Sequence, residues 1–468
     1  MKIKKILALL LSFALLLCVC GCGNNEDGGK QKGDITSADV DAATFEGLKF
    51  KTNPDLDFGG ETVTFALNIE PKRGRSSHED RILDIKEAIE EKYNVKIQYI
   101  TYNSDGDLQE NLVLKHMSNA VYADLVFTNT ANYLQALTNE GIFRPLDDYI
   151  DYSNNRFAIT DTATKYVDGK HYSYYPAERD QGYFVYYNTS VLDDNNCADP
   201  QELYEDGKWN WEEFEKIVKA CTGTKNGKVV YGLAGSNVLD GLMFSNGMPV
   251  ISYNEEEKSV KCNLFTEKGK KVLEFVRTLS FSCDGVDGTY GSHSGIESFN
   301  NSFAAMLIGP QYYGSHLVQT GVPFEMVPLP LGPDATAYTN IREDCYCYSI
   351  GAHSKFKTED LVQLAFELER NDPAIGNTYR DTSYEGQLDW FVEQYVDRAN
   401  HYYDEVQAEF VFDFINDEET ISYIDWNTAA LKDIIKKEIY LPISKGEDVR
   451  SRLDSVKPVI DAALKDQF

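Results

Sequence analysis

Between residues 62 and 127 the chain switches repeatedly between two hydrophobic periods, and this switching limits the available folds more than any other stretch. The run Thr62-Val63-Thr64-Phe65-Ala66-Leu67-Asn68 has strand composition. Ser76-Ser77-His78-Glu79 then makes a capping-box pattern ahead of Ile82, Ile85, Ile89 and Tyr93 at helical spacing. Val95 to Ile100 alternates as a strand should, a helical stretch runs from Leu108 to Met117, and Ala123-Asp124-Leu125-Val126-Phe127 reads as a buried strand. The order is β-α-β-α-β. Strands in that order lie parallel under helices on both faces, and ligands collect beyond their carboxyl ends. Asn68, Glu70, Thr128 and Asn129 fall there and are candidate binding residues on that rule alone.

Further along, Asn132 to Glu140 reads as a short helix closed by Gly141, and Asp168-Gly169 as a hairpin turn leading into Lys170 to Pro176. The apolar run Gly182 to Asn188 gives way to turn residues at Asp193 to Asn196, which places a crossing between two lobes. Asn210 is positioned to cap a helix with Glu213 three residues on, and Trp211, Phe214, Val218 and Cys221 form one apolar stripe turned inward. Val229 to Leu233 is a short strand, Glu267 to Leu279 an amphipathic helix, and Phe303 to Ile308 a buried strand ending at Gly309-Pro310-Gln311-Tyr312-Tyr313. With 468 residues, 42% of them apolar, the chain has material for more than one core, and two lobes are expected.

The N-terminus has the pattern of an export signal. Lys2, Lys4 and Lys5 precede an apolar run from Ile6 to Leu17, and Val19-Cys20-Gly21-Cys22 closes it. A membrane span needs about 20 continuous apolar residues, more than this run offers. The ending resembles the processing site of bacterial lipoproteins, in which a cysteine behind a small residue takes lipid and becomes the new N-terminus. Cys22 behind Gly21 fits best and Cys20 less well; an ordinary cleaved signal is the alternative. Cleavage would leave 447 residues starting at Cys22, and the loss of three lysines takes the formal charge from -30 to -33. Such an acidic body repels phosphate backbones, so no nucleic-acid partner is expected, and contact with a membrane would run through the lipid anchor only. Residues 22–56 read as a flexible tether, Gly-rich and without periodicity at first, with a mean reach of about 25 to 30 Å over some 24 residues.

Six cysteines remain beyond the signal, Cys197, Cys221, Cys262, Cys283, Cys345 and Cys347, with no metal-site or redox-motif spacing. Cys221 reads as core packing, and Cys345 and Cys347 would share one strand face and stay as thiols. His78 reads as surface near a helix start. Gly291-Ser292-His293-Ser294-Gly295 puts His where a nucleophile elbow needs Ser, and no zincin, phosphate-loop or calcium-loop pattern occurs. Neither metal nor cofactor is expected. With 75 acidic residues, composition alone leaves a glycosidase carboxylate pair open.

Several segments, in order from about residue 57 to 370, resemble the extracellular solute-binding proteins that feed ABC importers, in the large family dominated by carbohydrate binders. NEGIFRPLDDYI is similar to that family's G-apolar-x-x-P-L-D helix ending, and DGKHYSYYP with YFVYYN to its approach to the first inter-lobe crossing. PQELYEDGKWNWEEFEKIVKACTG resembles P-x-E-L-x-x-x-G-x-W-T-W-x-x-F, with Asn210 where Thr is common. FNNSFAAMLIGPQYYG resembles F-x-x-G-K-A-A-M-x-x-x-G-x-W, but Ser302 and Phe303 replace Gly and Lys, and Tyr312 or Tyr313 replaces Trp. FEMVPLPLGPDA and YSIGAHSKFKTEDLVQLAFEL complete the likeness.

The resemblance implies a two-lobed periplasmic-binding-protein-like α/β fold of type II, with hinge strands and a ligand cleft that closes by hinge bending. It divides the chain into a signal at 1–21, the tether at 22–56, a first lobe of 57–184 and 348–394, and a second of 185–347 and 395–468. It implies a monomeric receptor, not an enzyme, that delivers a sugar or oligosaccharide to ABC permease subunits. A sugar cleft needs aromatic faces plus polar side chains. Tyr312 and Tyr313 match the family's stacking position; Tyr174, Tyr183 and Tyr186 lie near the first crossing, and Arg342 and Asp344 precede the second. Each tyrosine has core packing as its alternative, and Arg342 with Asp344 an ordinary surface ion pair. A surface-anchored carbohydrate-active enzyme, a peptide or polar-solute binder on the same scaffold, and a sensor are the competing readings.

Overall fold

The computed structural model describes residues 47–467 apart from 76, 130–136, 139, 154–168, 175–181, 226, 235–236, 255, 258, 288–293, 312, 343–345, 371–387, 389–390, 393–404, 418–419 and 425–428. The described residues belong to one compact unit. Cys22 and the expected signal lie outside the described residues, as does most of the helix expected over 132–140.

The alternation at the start of the chain forms as its periods dictate. Strand β1 (Thr62–Leu67) leads into helix α1 (Ser77–Lys92), then β2 (Lys96–Thr101), α2 (Asp105–Met117) and β3 (Leu125–Asn129). Both β2 and β3 pair with β1 in parallel, Thr62 opposite Lys96 and Phe65 opposite Leu125. Ser104 caps α2 by accepting from the Asp107 amide at 3.2 Å. Glu79 accepts from the Lys72 amide at 2.7 Å and so ties the loop after β1 to the first turn of α1. The buried Asp124 carboxylate accepts from the Thr64 amide and hydroxyl and from the Ser354 hydroxyl, at 2.6 to 2.8 Å. A two-residue strand β4 (Ser173–Tyr174) is what forms of the expected 170–176 hairpin arm among the described residues.

A second sheet opens with β5 (Tyr183–Asn188), every residue of which is buried. The Asn188 side chain caps α3 (Thr189–Asp194), and α4 (Pro200–Glu205) follows. In α5 (Trp211–Cys221) the Asn210 side chain accepts from the Glu212 and Glu213 amides, as its position predicts. The apolar stripe is buried as expected, with Trp211 stacked on Phe275 at 4.2 Å and its indole N–H donating to the Ser245 hydroxyl at 2.7 Å.

After β6 (Gly223–Lys225) come β7 (Lys228–Ala234) and α6 (Val238–Ser245). Gly232 lets β7 meet α5 directly: a Cβ there would lie 2.2 Å from the Val218 carbonyl oxygen. The hairpin β8 (Ile251–Asn254) and β9 (Ser259–Cys262), helix α7 (Glu267–Arg277), β10 (Val286–Asp287), α8 (Ser294–Asn300), β11 (Ala304–Pro310), α9 (Tyr313–Thr320) and β12 (Phe324–Pro328) continue this half. The second sheet runs β10-β7-β11-β5-β12, with β11 parallel to β7 and antiparallel to β5.

Strand β13 (Thr339–Arg342) then hands the chain back to β14 (Tyr346–Ile350), which enters the first sheet antiparallel to β3 and β4, giving the order β2-β1-β3-β14-β4. Arg144, in the segment after Gly141, donates to the Ser354 and Phe356 carbonyls and fastens this return. Helix α10 (Thr358–Arg370) packs behind, where the fully buried Glu367 takes the Tyr93 hydroxyl and Lys92. Near the C-terminus, α11 (Glu405–Asn416), β15 (Ile421–Ile424) paired with β13, α12 (Ala429–Ile435), α13 (Leu441–Ser444) and α14 (Val449–Gln467) finish the chain. Leu431, Ile435, Leu453 and Ile460 join the core of the second sheet, and Phe391 and Phe412 pack on its other face with Phe184 and Tyr186.

Candidate functional site

In the first sheet, parallel strands deliver their carboxyl ends to one edge. With Phe65 opposite Leu125, the residues that follow β1 and those that end β3 emerge side by side. Asn68 and Glu70 are exposed there, with Ile69 between them 59% exposed. Thr128 and Asn129 are the last two residues of β3, opposite Cys347 and Tyr346 of β14; their side chains lie outside the described set. The chain reaches this same edge from Arg342, which ends β13 opposite Ile424. The Arg342 side chain and all of Asp344 lie outside the described residues. By this register the backbone after β1 and the end of β3 share one edge of the first sheet.

The tyrosines are placed by packing. Tyr174 is fully buried and stacks on Phe366 at 5.3 Å. Tyr183 is 2% exposed, opposite Pro310 and within the second sheet's core. Tyr186 is fully buried, and its hydroxyl donates toward the Pro310 and Gln311 carbonyls at 3.0 and 2.9 Å. Tyr313 is 3% exposed, its ring lying against Gly309. Tyr312 lies outside the described residues.

Together these contacts fix the turn that ends β11. The Gln311 amide donates to the Gly182 carbonyl at 2.8 Å, the Gly314 amide to the Gln311 carbonyl at 3.1 Å, and Tyr186 holds two carbonyls from below. On the opposite face of β5, the Tyr187 hydroxyl meets Glu325 at 2.6 Å and Asp199 at 3.0 Å; burial first, then the Glu325 contact, pushes its phenol well above the usual range. Sequence reading missed the supporting roles of Gly309 and Gly182. Spacing did not single out Gly309, since the Gly that the family pattern sets ahead of its aromatic falls on Pro310.

A family model of bacterial extracellular solute-binding proteins matches residues 84–375, which hold every strand of the two large sheets except β1. The chain belongs to that family. Its members are binding proteins, and the family is extracellular by definition. Among solved structures, the fold matches a cyclo/maltodextrin-binding protein complexed with maltotetraose at a TM-score of 0.62, with 12% identity, covering 88% of this chain and 98% of that one. A sugar transporter from Rhizobium etli in an open conformation matches at 0.60, with 16% identity over 86% and 99% of the two chains. The maltose/maltodextrin-binding domain of Bdellovibrio bacteriovorus, bound to maltotriose, matches at 0.56, with 17% identity over 86% and 100%. These likenesses establish the two-lobed periplasmic-binding-protein-like fold of the family member. No curated protein matches it by sequence. Among the described residues, no group of three or more His, Cys, Asp or Glu side chains is placed to hold a metal ion, and no helix is long and apolar enough to cross a membrane.

Proposed function

We propose that this solute-binding protein is a lipid-anchored receptor that captures a sugar or oligosaccharide between its lobes and delivers it to the permease of an ABC importer. The observation that carries the reading is the ordered end of β11, where the Gln311 amide donates to the Gly182 carbonyl and the Tyr186 hydroxyl to the Pro310 and Gln311 carbonyls, directly ahead of Tyr312 in the sequence. An aromatic face at such a strand end suits the flat C–H faces of a pyranose. The sugar complexes among the matching folds support the same substrate class.

In this reading the first lobe is built on the first sheet, chiefly 57–184 with 348–394, and the second on 185–347 with 395–468. The chain passes between them near 182–196 and again near 345–350. Asn68, Glu70, Thr128, Asn129, Arg342 and Asp344 supply polar contacts from the first lobe and the second crossing. Tyr312 is the ring offered to the ligand, buried Tyr313, Tyr183 and Tyr186 pack behind the turn, Tyr174 packs against Phe366 in the first lobe, and the receptor works as a monomer. Ligand favours the closed form only through its differential affinity, so both lobes must touch it.

A thermal-shift panel of saccharides, peptides and other polar solutes tests the substrate class. A matching saccharide at about 100 times its dissociation constant adds about 2.7 kcal/mol. Peptides that shift the melting point while no saccharide does would contradict the sugar reading, and release of reducing sugar would favour the enzyme instead. For the anchor, Cys22→Ala is expected to abolish fatty-acid labelling and release the protein into the medium; persistent labelling would move the site to Cys20 or Cys18.

A further inference from the structure

Two cysteines that sequence reading left apart meet in the second lobe. Cys197 and Cys221 are 24 residues apart in the chain, and their sulfurs lie 3.5 Å from each other. The first sits just past α3, where the turn is fixed by Asn196 in the left-handed region at φ 53° and by the Cys197 amide donating to the Leu192 carbonyl at 3.0 Å. The second is the last residue of α5, buried in the core against which Cys197 packs. Each sulfur is therefore held by ordered backbone.

We propose that Cys197 and Cys221 are joined by a disulfide in the exported protein, locking the turn after α3 to the end of α5. Extracellular proteins work where disulfides persist, and the family places this chain there. Bond formation needs the sulfurs to approach from contact distance to about 2.05 Å, a movement of side-chain scale.

The order of steps follows from exposure. Cys197 is half-buried and reachable, so its thiolate attacks a sulfur of an external disulfide, either a small-molecule disulfide or that of a thiol oxidoreductase; a mixed disulfide forms and one external thiolate leaves. Burial pushes the Cys221 thiol up, which suits it to the second step rather than the first. Its proton passes to solvent, its sulfur attacks Cys197 Sγ, and the second external thiolate departs. Two protein thiols are thereby oxidised and one external disulfide is reduced to two thiols.

The bond closes a loop between α3 and α5 that contains α4 and Trp209, so it would restrain the unfolded chain around a fully buried tryptophan. The test is peptide mapping of the full chain, purified without reductant, equilibrated with oxidised glutathione and alkylated before digestion with trypsin. Peptides 180–208 and 220–225 are expected to run joined and to separate only after reduction. Dithiothreitol should also lower the melting point of the parent protein by roughly 5 °C while leaving Cys197→Ser unmoved. Separate alkylation of both thiols after the glutathione step, or either sulfur linked to a different cysteine, would overturn the assignment; so would an equal response of parent and variant to dithiothreitol.

Discussion

Replacing Trp209 with alanine is expected to remove about 4 kcal/mol from the stability of the second lobe. The indole is fully buried, packs edge-on to Phe214 at 5.8 Å, and donates its N–H to the Pro328 carbonyl at 2.7 Å. Its backbone carbonyl accepts from the Leu331 amide and the Tyr338 hydroxyl, both at 3.0 Å, so the indole is packed at the point where the chain beyond β12 is stitched to the start of α5. Truncation opens a cavity that surrounding strands are too well connected to fill, and it leaves the Pro328 carbonyl without this donor. Chemical denaturation followed by circular dichroism measures the loss. A loss below about 1 kcal/mol would contradict this expectation and show that the neighbourhood collapses onto the smaller residue.

Gly309→Ala is expected to leave a folded protein whose saccharide affinity falls at least roughly tenfold, about 1.4 kcal/mol of binding free energy. A Cβ at this position would lie 2.2 Å from Cδ2 and 2.4 Å from Cε2 of Tyr313, far inside contact distance. The ring must turn, and it starts the helix α9 directly beyond the pinned turn, so the turn moves with it. Overpacking of this kind costs about 1 to 3 kcal/mol of stability as well, which a melting curve separates from the binding loss. Calorimetric titration with the saccharide identified by thermal shift, at a temperature where the variant is folded, reads the affinity. An unchanged dissociation constant would detach the Pro310 to Tyr313 turn from binding.

How much of this was legible depended on whether the information was local. The strands at 62–67, 96–101 and 304–310, the Asn210 cap and the inward stripe of Trp211, Phe214, Val218 and Cys221 follow from period and capping chemistry, and the structure has them. The parallel pairing of β1, β2 and β3 follows from the helices between them. Antiparallel β14 and β4 were not legible in that way, because they enter the sheet from segments far along the chain rather than through a covering helix.

Ser302 shows a departure from the family pattern being absorbed locally. It stands where Gly is usual, and the reason for that Gly is visible in its left-handed φ of 56°. Its hydroxyl accepts from the Asn188 side chain at 3.1 Å, a contact that offsets part of the conformational cost. The aromatic candidates were harder. A strand tyrosine has two faces to choose from, and only packing shows that Tyr186 turns inward and reaches the turn through its hydroxyl, while neighbouring Tyr187 faces Glu325 and Asp199. Gly232 and the Cys197–Cys221 contact were equally hidden, since each depends on two segments that meet only in the folded chain.

The central claim is that a saccharide closes two lobes around itself, and small-angle X-ray scattering of the full chain with and without the identified sugar tests it most directly. The account predicts a smaller radius of gyration at saturation, returning to the free value when the sugar is removed. A bound saccharide with an unchanged radius of gyration would contradict it.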